Sequence, residues 1–153
     1  MGHRATLRVN GERWDLEVDP AETLLEVLRT RVGVKSPKVG CERGDCGSCT
    51  VLLDGQTVRS CLVLAVEADG AEVTTLEGIG REGLAPVQRA LLEHNSFQCG
   101  FCAPGIVLSA MELLAEHPRP TRHQVQEALA GNLCRCTGYE PIIRAVLAAG
   151  EGT

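Results

Sequence analysis

Eight cysteines in two groups constrain this 153-residue chain more than any other feature. The first group lies in GCERGDCGSC, where Cys41, Cys46 and Cys49 follow a C-x4-C-x2-C spacing among Gly40, Gly44 and Gly47, and Cys61 follows after eleven further residues. A loop that wraps an anionic inorganic core has to bring backbone N–H groups close to sulfur. Glycine permits that approach and the positive φ angles it needs. Gly-rich loops with cysteines also make zinc ribbons and disulfide knots, but zinc sites favour two separated C-x2-C pairs. The spacing here suits four thiolates around a 2Fe-2S core.

The second group pairs Cys99 with Cys102 and Cys134 with Cys136. Each pair is expected at a helix N-terminus, where unpaired N–H groups and the helix dipole stabilise thiolates and the negative charge of a cluster. Two such helix ends facing one another would make a four-thiolate cage. The C-x-C spacing of Cys134 and Cys136 is not that of a common zinc knuckle, so a second iron–sulfur cluster is favoured over zinc.

Eight cysteines could also form four disulfides in a secreted protein. The first thirty residues, however, hold no apolar h-region, twin arginine or small-residue cleavage site. A cytoplasmic location is expected, where thiols stay reduced and clustered cysteines more often bind metal. The Leu-rich stretches are broken by charges, which argues against membrane insertion. A formal charge of -5, made more negative by thiolate-ligated clusters, argues against nucleic acid as a partner. At 44% hydrophobic residues, the length allows one or two small domains with real cores.

Read in order, residues 3–18 alternate around Asn10-Gly11, with Ala5, Leu7 and Val9 before it and Trp14, Leu16 and Val18 after it. This predicts a β-hairpin. Asp19-Pro20-Ala21-Glu22 reads as an N-cap, a proline at the first helical position and an acidic N3, starting a helix that runs to about Arg31. Leu24, Leu25 and Leu28 form its buried stripe. Thr50 to Leu53 and Thr57 to Leu64 flank Asp54-Gly55 as a second hairpin that returns Cys61 to the first three ligands, and further strands end near Val73 to Leu76.

Gly78 to Pro86 has three glycines and no apolar period, so the domain boundary is placed there: residues 1–77 and residues 78–153. Beyond it, four helical patterns suggest a small bundle: Val87, Ala90 and Leu91; Val107, Ala110, Met111 and Leu114; Val125, Ala128 and Leu129; Ile142, Ile143, Val146 and Leu147. Thr121 with Gln124 and Thr137 with Glu140 read as capping boxes, and Gly150 as the end of the last helix. The fold class is therefore α+β. Hairpin, helix, cysteine loop and further strands resemble a β-grasp, plant-type ferredoxin domain, here followed by a four-helix bundle.

QCGFC at 98–102 and NLCRCTGY at 132–139, behind GCERGDCGSC, resemble the small iron–sulfur subunit of molybdenum hydroxylases. This is the xanthine dehydrogenase, aldehyde oxidoreductase and carbon monoxide dehydrogenase family. The resemblance covers almost the whole chain and all eight cysteines. It implies an oxidoreductase subunit that does no bond chemistry itself: electrons from a molybdenum–pterin centre in a large subunit would cross two 2Fe-2S clusters to FAD in a medium subunit, in a dimer of heterotrimers. It further implies that Gln98 and Cys136 touch the pterin, Gln98 by amide hydrogen bonds and Cys136 as iron ligand and pterin neighbour.

Other residues carry weaker signals. Phe97, Phe101 and Tyr139 read first as core and otherwise as a shield for the second cysteine set. The four histidines stand without partners at ligand spacing, and Arg43 and Arg135 either balance cluster charge or are solvated. A free-standing two-cluster carrier and a zinc-stapled binding module remain alternatives. The substrate of the holoenzyme is not legible, because its pocket would lie in another subunit.

Overall fold

The structure, a computed structural model, describes residues 2–152; the outermost residue of each expected domain, Met1 and Thr153, lies outside it. Strands β1 (His3–Val9) and β2 (Glu12–Val18) pair antiparallel around Asn10 and Gly11, whose φ angles of 51° and 83° give the tight turn that the Asn-Gly pair favours. Strands β3 (Thr50–Leu53) and β4 (Gln56–Arg59) form the second hairpin around Asp54 and Gly55. Strand β5 (Glu72–Thr74) runs parallel to β1 and antiparallel to β3. The result is a mixed sheet in the order β2-β1-β5-β3-β4.

The second hairpin is shorter than its sequence suggests. Strand β4 stops at Arg59, and Cys61 sits in a 3-10 turn over Ser60–Leu62. Ser60 fixes that turn by donating its hydroxyl to the Cys49 carbonyl at 2.6 Å. Cys61 is thus returned to Cys49 by a turn rather than by a strand.

Helix α1 (Leu24–Val27) starts one turn later than Asp19 implies. Its N-cap is Thr23, whose hydroxyl accepts from the Glu26 N–H while the Glu26 carboxylate accepts from the Thr23 N–H. Asp19 instead accepts from the Ala21 N–H, an Asx turn that ends before the helix begins. The helix passes into a π-helical turn (Leu28–Val32) closed by Gly33 at φ 88°. Its buried face is the expected one, Leu24, Leu25 and Leu28, joined by Val27. With Leu7, Val18, Val51 and Val73, residues Leu24, Val27 and Leu28 make the core under the sheet.

Helices α2 (Leu76–Ile79), α3 (Pro86–Glu93), α4 (Ala103–Glu116), α5 (Arg122–Leu129) and α6 (Glu140–Glu151) follow. The last four share a second core of Val87, Leu91, Ile106, Val125, Ile142 and Val146. Thr121 and Gln124 form the expected capping box on α5. Thr137 and Glu140 do not. Tyr139 at φ 71° precedes α6, the Thr137 hydroxyl accepts from the Tyr139 N–H, and Glu140 turns to Arg122 and Arg144. Gly150 lies inside α6, which runs to Glu151. A Cβ there would stand 2.8 Å from the Pro118 carbonyl, so this glycine serves close packing of the α4–α5 loop rather than termination.

Candidate metal centres

The first four cysteines converge although Cys61 arrives from a different hairpin. Cys49 and Cys61 bring their sulfurs to 3.4 Å, and the Cys46 N–H donates to the Cys41 sulfur at 3.3 Å. The Arg43 N–H reaches the same sulfur and the Ser48 N–H reaches Cys46, each at 3.5 Å. Donation from the Cys46 and Arg43 backbone pulls the Cys41 thiol down to about 6. Burial, then the neighbouring Cys49 sulfur, pushes Cys61 up to about 11. Gly40 is required by space: a Cβ would stand 2.6 Å from the Cys46 sulfur. N–H donors aimed at sulfur, a loop with no room for a side chain and an all-thiol donor set fit a 2Fe-2S core.

The second four converge from the two segments ahead of α4 and α6. Cys99 and Cys136 lie with sulfurs 3.6 Å apart, and Cys102 contacts Cys134, so each pair takes one thiol from each segment. The Cys99–Cys136 pair is exposed, whereas Cys102 is buried. Burial, then the Cys134 sulfur, pushes Cys102 up to about 12. The Cys99 thiol is held below its ordinary value by the Phe101 N–H and by Cys136. Burial works to raise Cys134, but donors led by the Thr137 hydroxyl outweigh it and hold that thiol low. The thiols of both sets come in pairs; among the described residues no group of three or more His, Cys, Asp and Glu side chains is placed to hold a single metal ion.

Gln98 donates its amide to the Cys136 carbonyl at 3.1 Å and so ties the two segments of the second set together. Both residues sit on an exposed rim. Phe97 and Tyr139 pack on the helical core as expected. Phe101 does not: the residue is 46% exposed, and the Lys38 ammonium lies 5.1 Å from its ring centroid while donating to its carbonyl. Arg43 is already ion-paired with Asp45 at 2.7 Å. All four histidines are on the surface.

Further contacts, none of them among the expectations from sequence, brace the second set and join it to the first. The Tyr139 hydroxyl accepts from the Cys134 N–H at 2.9 Å. The buried Asn132 amide donates to the Gly47 carbonyl and the Thr50 hydroxyl, each at 3.3 Å, and accepts from Ser109 at 2.8 Å. Gly47, Gly105 and Gly131 let these backbones meet. A Cβ on Gly105 would lie 2.5 Å from the Gly47 carbonyl, and one on Gly47 would strike the Gly131 carbonyl. Glu112 on α4 closes the far side, accepting from the Thr57 N–H at 2.8 Å and from its hydroxyl at 2.6 Å. Only Tyr139 stood close enough in sequence to its cysteine to be found without the fold.

Fold and thiol arrangement together define a protein with two 2Fe-2S-binding regions. Residues 7–78 match the family described as a 2Fe-2S iron–sulfur cluster binding domain, and residues 75–147 match the [2Fe-2S] binding domain family. The chain is 50% identical to the nicotine 6-hydroxylase small subunit of Paenarthrobacter nicotinovorans, over 94% of this chain and 87% of that one. It is 43% identical to the nicotinate dehydrogenase small FeS subunit of Eubacterium barkeri, over 95% and 93% of the two chains. The crystal structure of quinoline 2-oxidoreductase from Pseudomonas putida 86 superposes with a TM-score of 0.94 at 45% identity, covering 99% of this chain and 95% of that one. The chain belongs to the family of small 2Fe-2S subunits of molybdenum hydroxylases, components of multi-subunit oxidoreductases.

Proposed function

We propose that this chain conducts electrons within a molybdenum hydroxylase: Cys41, Cys46, Cys49 and Cys61 hold one 2Fe-2S cluster, and Cys99, Cys102, Cys134 and Cys136 hold the other. When bound, the clusters supply one-electron steps between a molybdenum–pterin centre in a large partner subunit and FAD in a medium partner subunit. The chain turns over no substrate itself. Its halves, residues 1–77 and 78–153, act as a β-grasp ferredoxin domain and a four-helix bundle. A cytoplasmic dimer of heterotrimers is the assembly that accompanies this reading; among the described residues no helix is long and apolar enough to cross a membrane.

The observation that carries the proposal is the seam between the thiol sets. The Leu133 N–H donates to the Cys46 carbonyl at 2.9 Å, so one hydrogen bond joins the backbone beside Cys134 to a ligand of the other set. That bond gives a short covalent and hydrogen-bonded route from one thiol set to the other. The rim of the second set supports a direction with this set on the pterin side. Gln98 and the exposed Cys136 face outward together, and the Gln98 oxygen remains able to accept from a pterin edge while its nitrogen holds the Cys136 carbonyl. The Cys41–Cys61 loop offers glycine, charge and serine, which suits the flavin side.

Metal analysis and spectroscopy test this. Two irons and two sulfides are expected for each set of four thiols, with two distinct paramagnetic signals after dithionite. Zinc without iron, or a single signal integrating to one spin per chain, would sink the proposal. Gln98→Ala should slow reduction of both clusters by substrate and leave their reduction by dithionite unchanged. Reduction by substrate at the original rate, with the pterin bound normally, would remove Gln98 from the path.

A further inference from the structure

Arg59 ends β4, paired across the hairpin with Thr50, the residue after Cys49, and two residues before Cys61. Its side chain reaches across the seam. Nη1 donates to the Thr50 hydroxyl at 2.9 Å and Nη2 to the Gly131 carbonyl at 2.8 Å, at the head of the Gly131–Leu133 turn that delivers Cys134. The Nε is buried and has no hydrogen-bond partner. Among the described residues no carboxylate pairs with this guanidinium, in contrast to the surface ion pairs of Arg13 with Asp15 and Arg122 with Glu140. Gly131 keeps the place open, since a Cβ there would strike Nη2.

A partly buried cation satisfied only by neutral acceptors is costly unless a negative charge stands nearby. We infer that Arg59 is a shared counter-cation for the two iron–sulfur centres, placed between the segments that carry both ligand sets so that it raises the reduction potential of each. This rests on the electron-transfer reading above. Reduction adds a negative charge to a cluster that four thiolates already make anionic. A fixed positive charge beside it favours the reduced form, and the low dielectric of the seam strengthens the effect. Because its two Nη atoms bond one to each half of the chain, Arg59 also holds that charge in register with both sets.

The test is an EPR-monitored redox titration of the assembled holoenzyme, as wild type, Arg59→Met and Arg59→Lys. Two signals in the wild type establish the parent reading independently; their absence would defeat that reading and this inference with it, whereas the outcomes below bear on the inference alone. Arg59→Met should move both midpoint potentials negative, and Arg59→Lys, which keeps the charge but not the two-armed hydrogen bonding, should restore most of the shift. Unchanged potentials in Arg59→Met with both signals intact would overturn the inference, as would a shift confined to one centre. Equal displacement by Met and Lys would mark Arg59 as packing only, and also overturns it. If Arg59→Met loses its clusters, Gly131→Ala displaces the guanidinium while leaving it in the chain; a negative shift is again expected, and potentials equal to wild type would refute the role.

Discussion

The Leu133 N–H and the Cys46 carbonyl, 2.9 Å apart, join two residues 87 positions distant by number, and they do so at the point where the two thiol sets approach. Gly47 follows Cys46 and Gly131 precedes Leu133 by two residues, and Gly105 of α4 packs against both segments. Close approach of the two cysteine-bearing segments therefore depends on missing side chains as much as on the cysteines.

Gly105 gives the most direct measure of that dependence. Alanine would gain about 1 kcal/mol of helix propensity inside α4. Its Cβ, however, would meet the Gly47 carbonyl at 2.5 Å and the Asn132 amide at 2.9 Å, both held by the seam and unable to swing away. Overpacking of this kind costs about 1–3 kcal/mol. Gly105→Ala should therefore lower stability in chemical denaturation, and an increase would mean that the seam yields freely.

Tyr139→Phe removes the hydroxyl that accepts from the Cys134 N–H. Loss of that bond should cost about 1 kcal/mol. The EPR signal of the second centre should shift while that of the first stays in place. Movement of both signals together would show that the hydroxyl acts on the whole fold instead.

Glu77 supplies a pH dependence. It accepts from the Lys35 and Ser36 N–H groups at 2.8 and 2.9 Å, from the Ser36 hydroxyl, and from Thr75 at 2.7 Å, anchoring the segment that leads into the first cysteine loop. Partial burial works to raise its pKa, but these donors, led by the Ser36 hydroxyl, prevail and hold it down at about 2 against an ordinary 4.5. A depressed carboxylate stabilises the fold above its unfolded pKa, and the contribution is lost as pH falls toward the folded value. The stability gap between wild type and Glu77→Gln should be full above about 4.5 and close toward about 2. A gap independent of pH would remove the charge from the explanation.

Cys61→Ser should abolish the first EPR signal and Cys134→Ser the second. Metal binding is linked to folding, and the Leu133–Cys46 bond gives damage a route across the seam. Each variant is therefore expected to keep the other signal with a small perturbation. Loss of both signals, with circular dichroism unchanged, would show that the two ligand sets are interleaved.

Much of the molecule was legible without coordinates because its determinants are local. Asn10-Gly11 and Asp54-Gly55 impose positive φ angles on two-residue turns, so both hairpins follow from dipeptides. Thr121 and Gln124 are within reach of each other in any helix start. The cysteine spacings limit which thiols can share a loop. Local competition explains the misreadings: Thr23 with Glu26 displaced Asp19 as a helix start, and the hydroxyl of Thr137 was taken by the turn that sets Tyr139.

The sequence by itself determined the two thiol groups, the hairpins and the apolar faces of the helices, each set by residues a few positions apart. Only the tertiary structure decided how the groups stand to one another. Cys99 pairs with Cys136 and Cys102 with Cys134 because α4 and α6 pack around one core. Asn132 meets Gly47, and Arg59 meets Gly131, where the sheet and α4 pack together. Spacing along a chain fixes short-range geometry through bond lengths and φ, whereas approach between segments tens of residues apart is fixed only when buried side chains close the space between them.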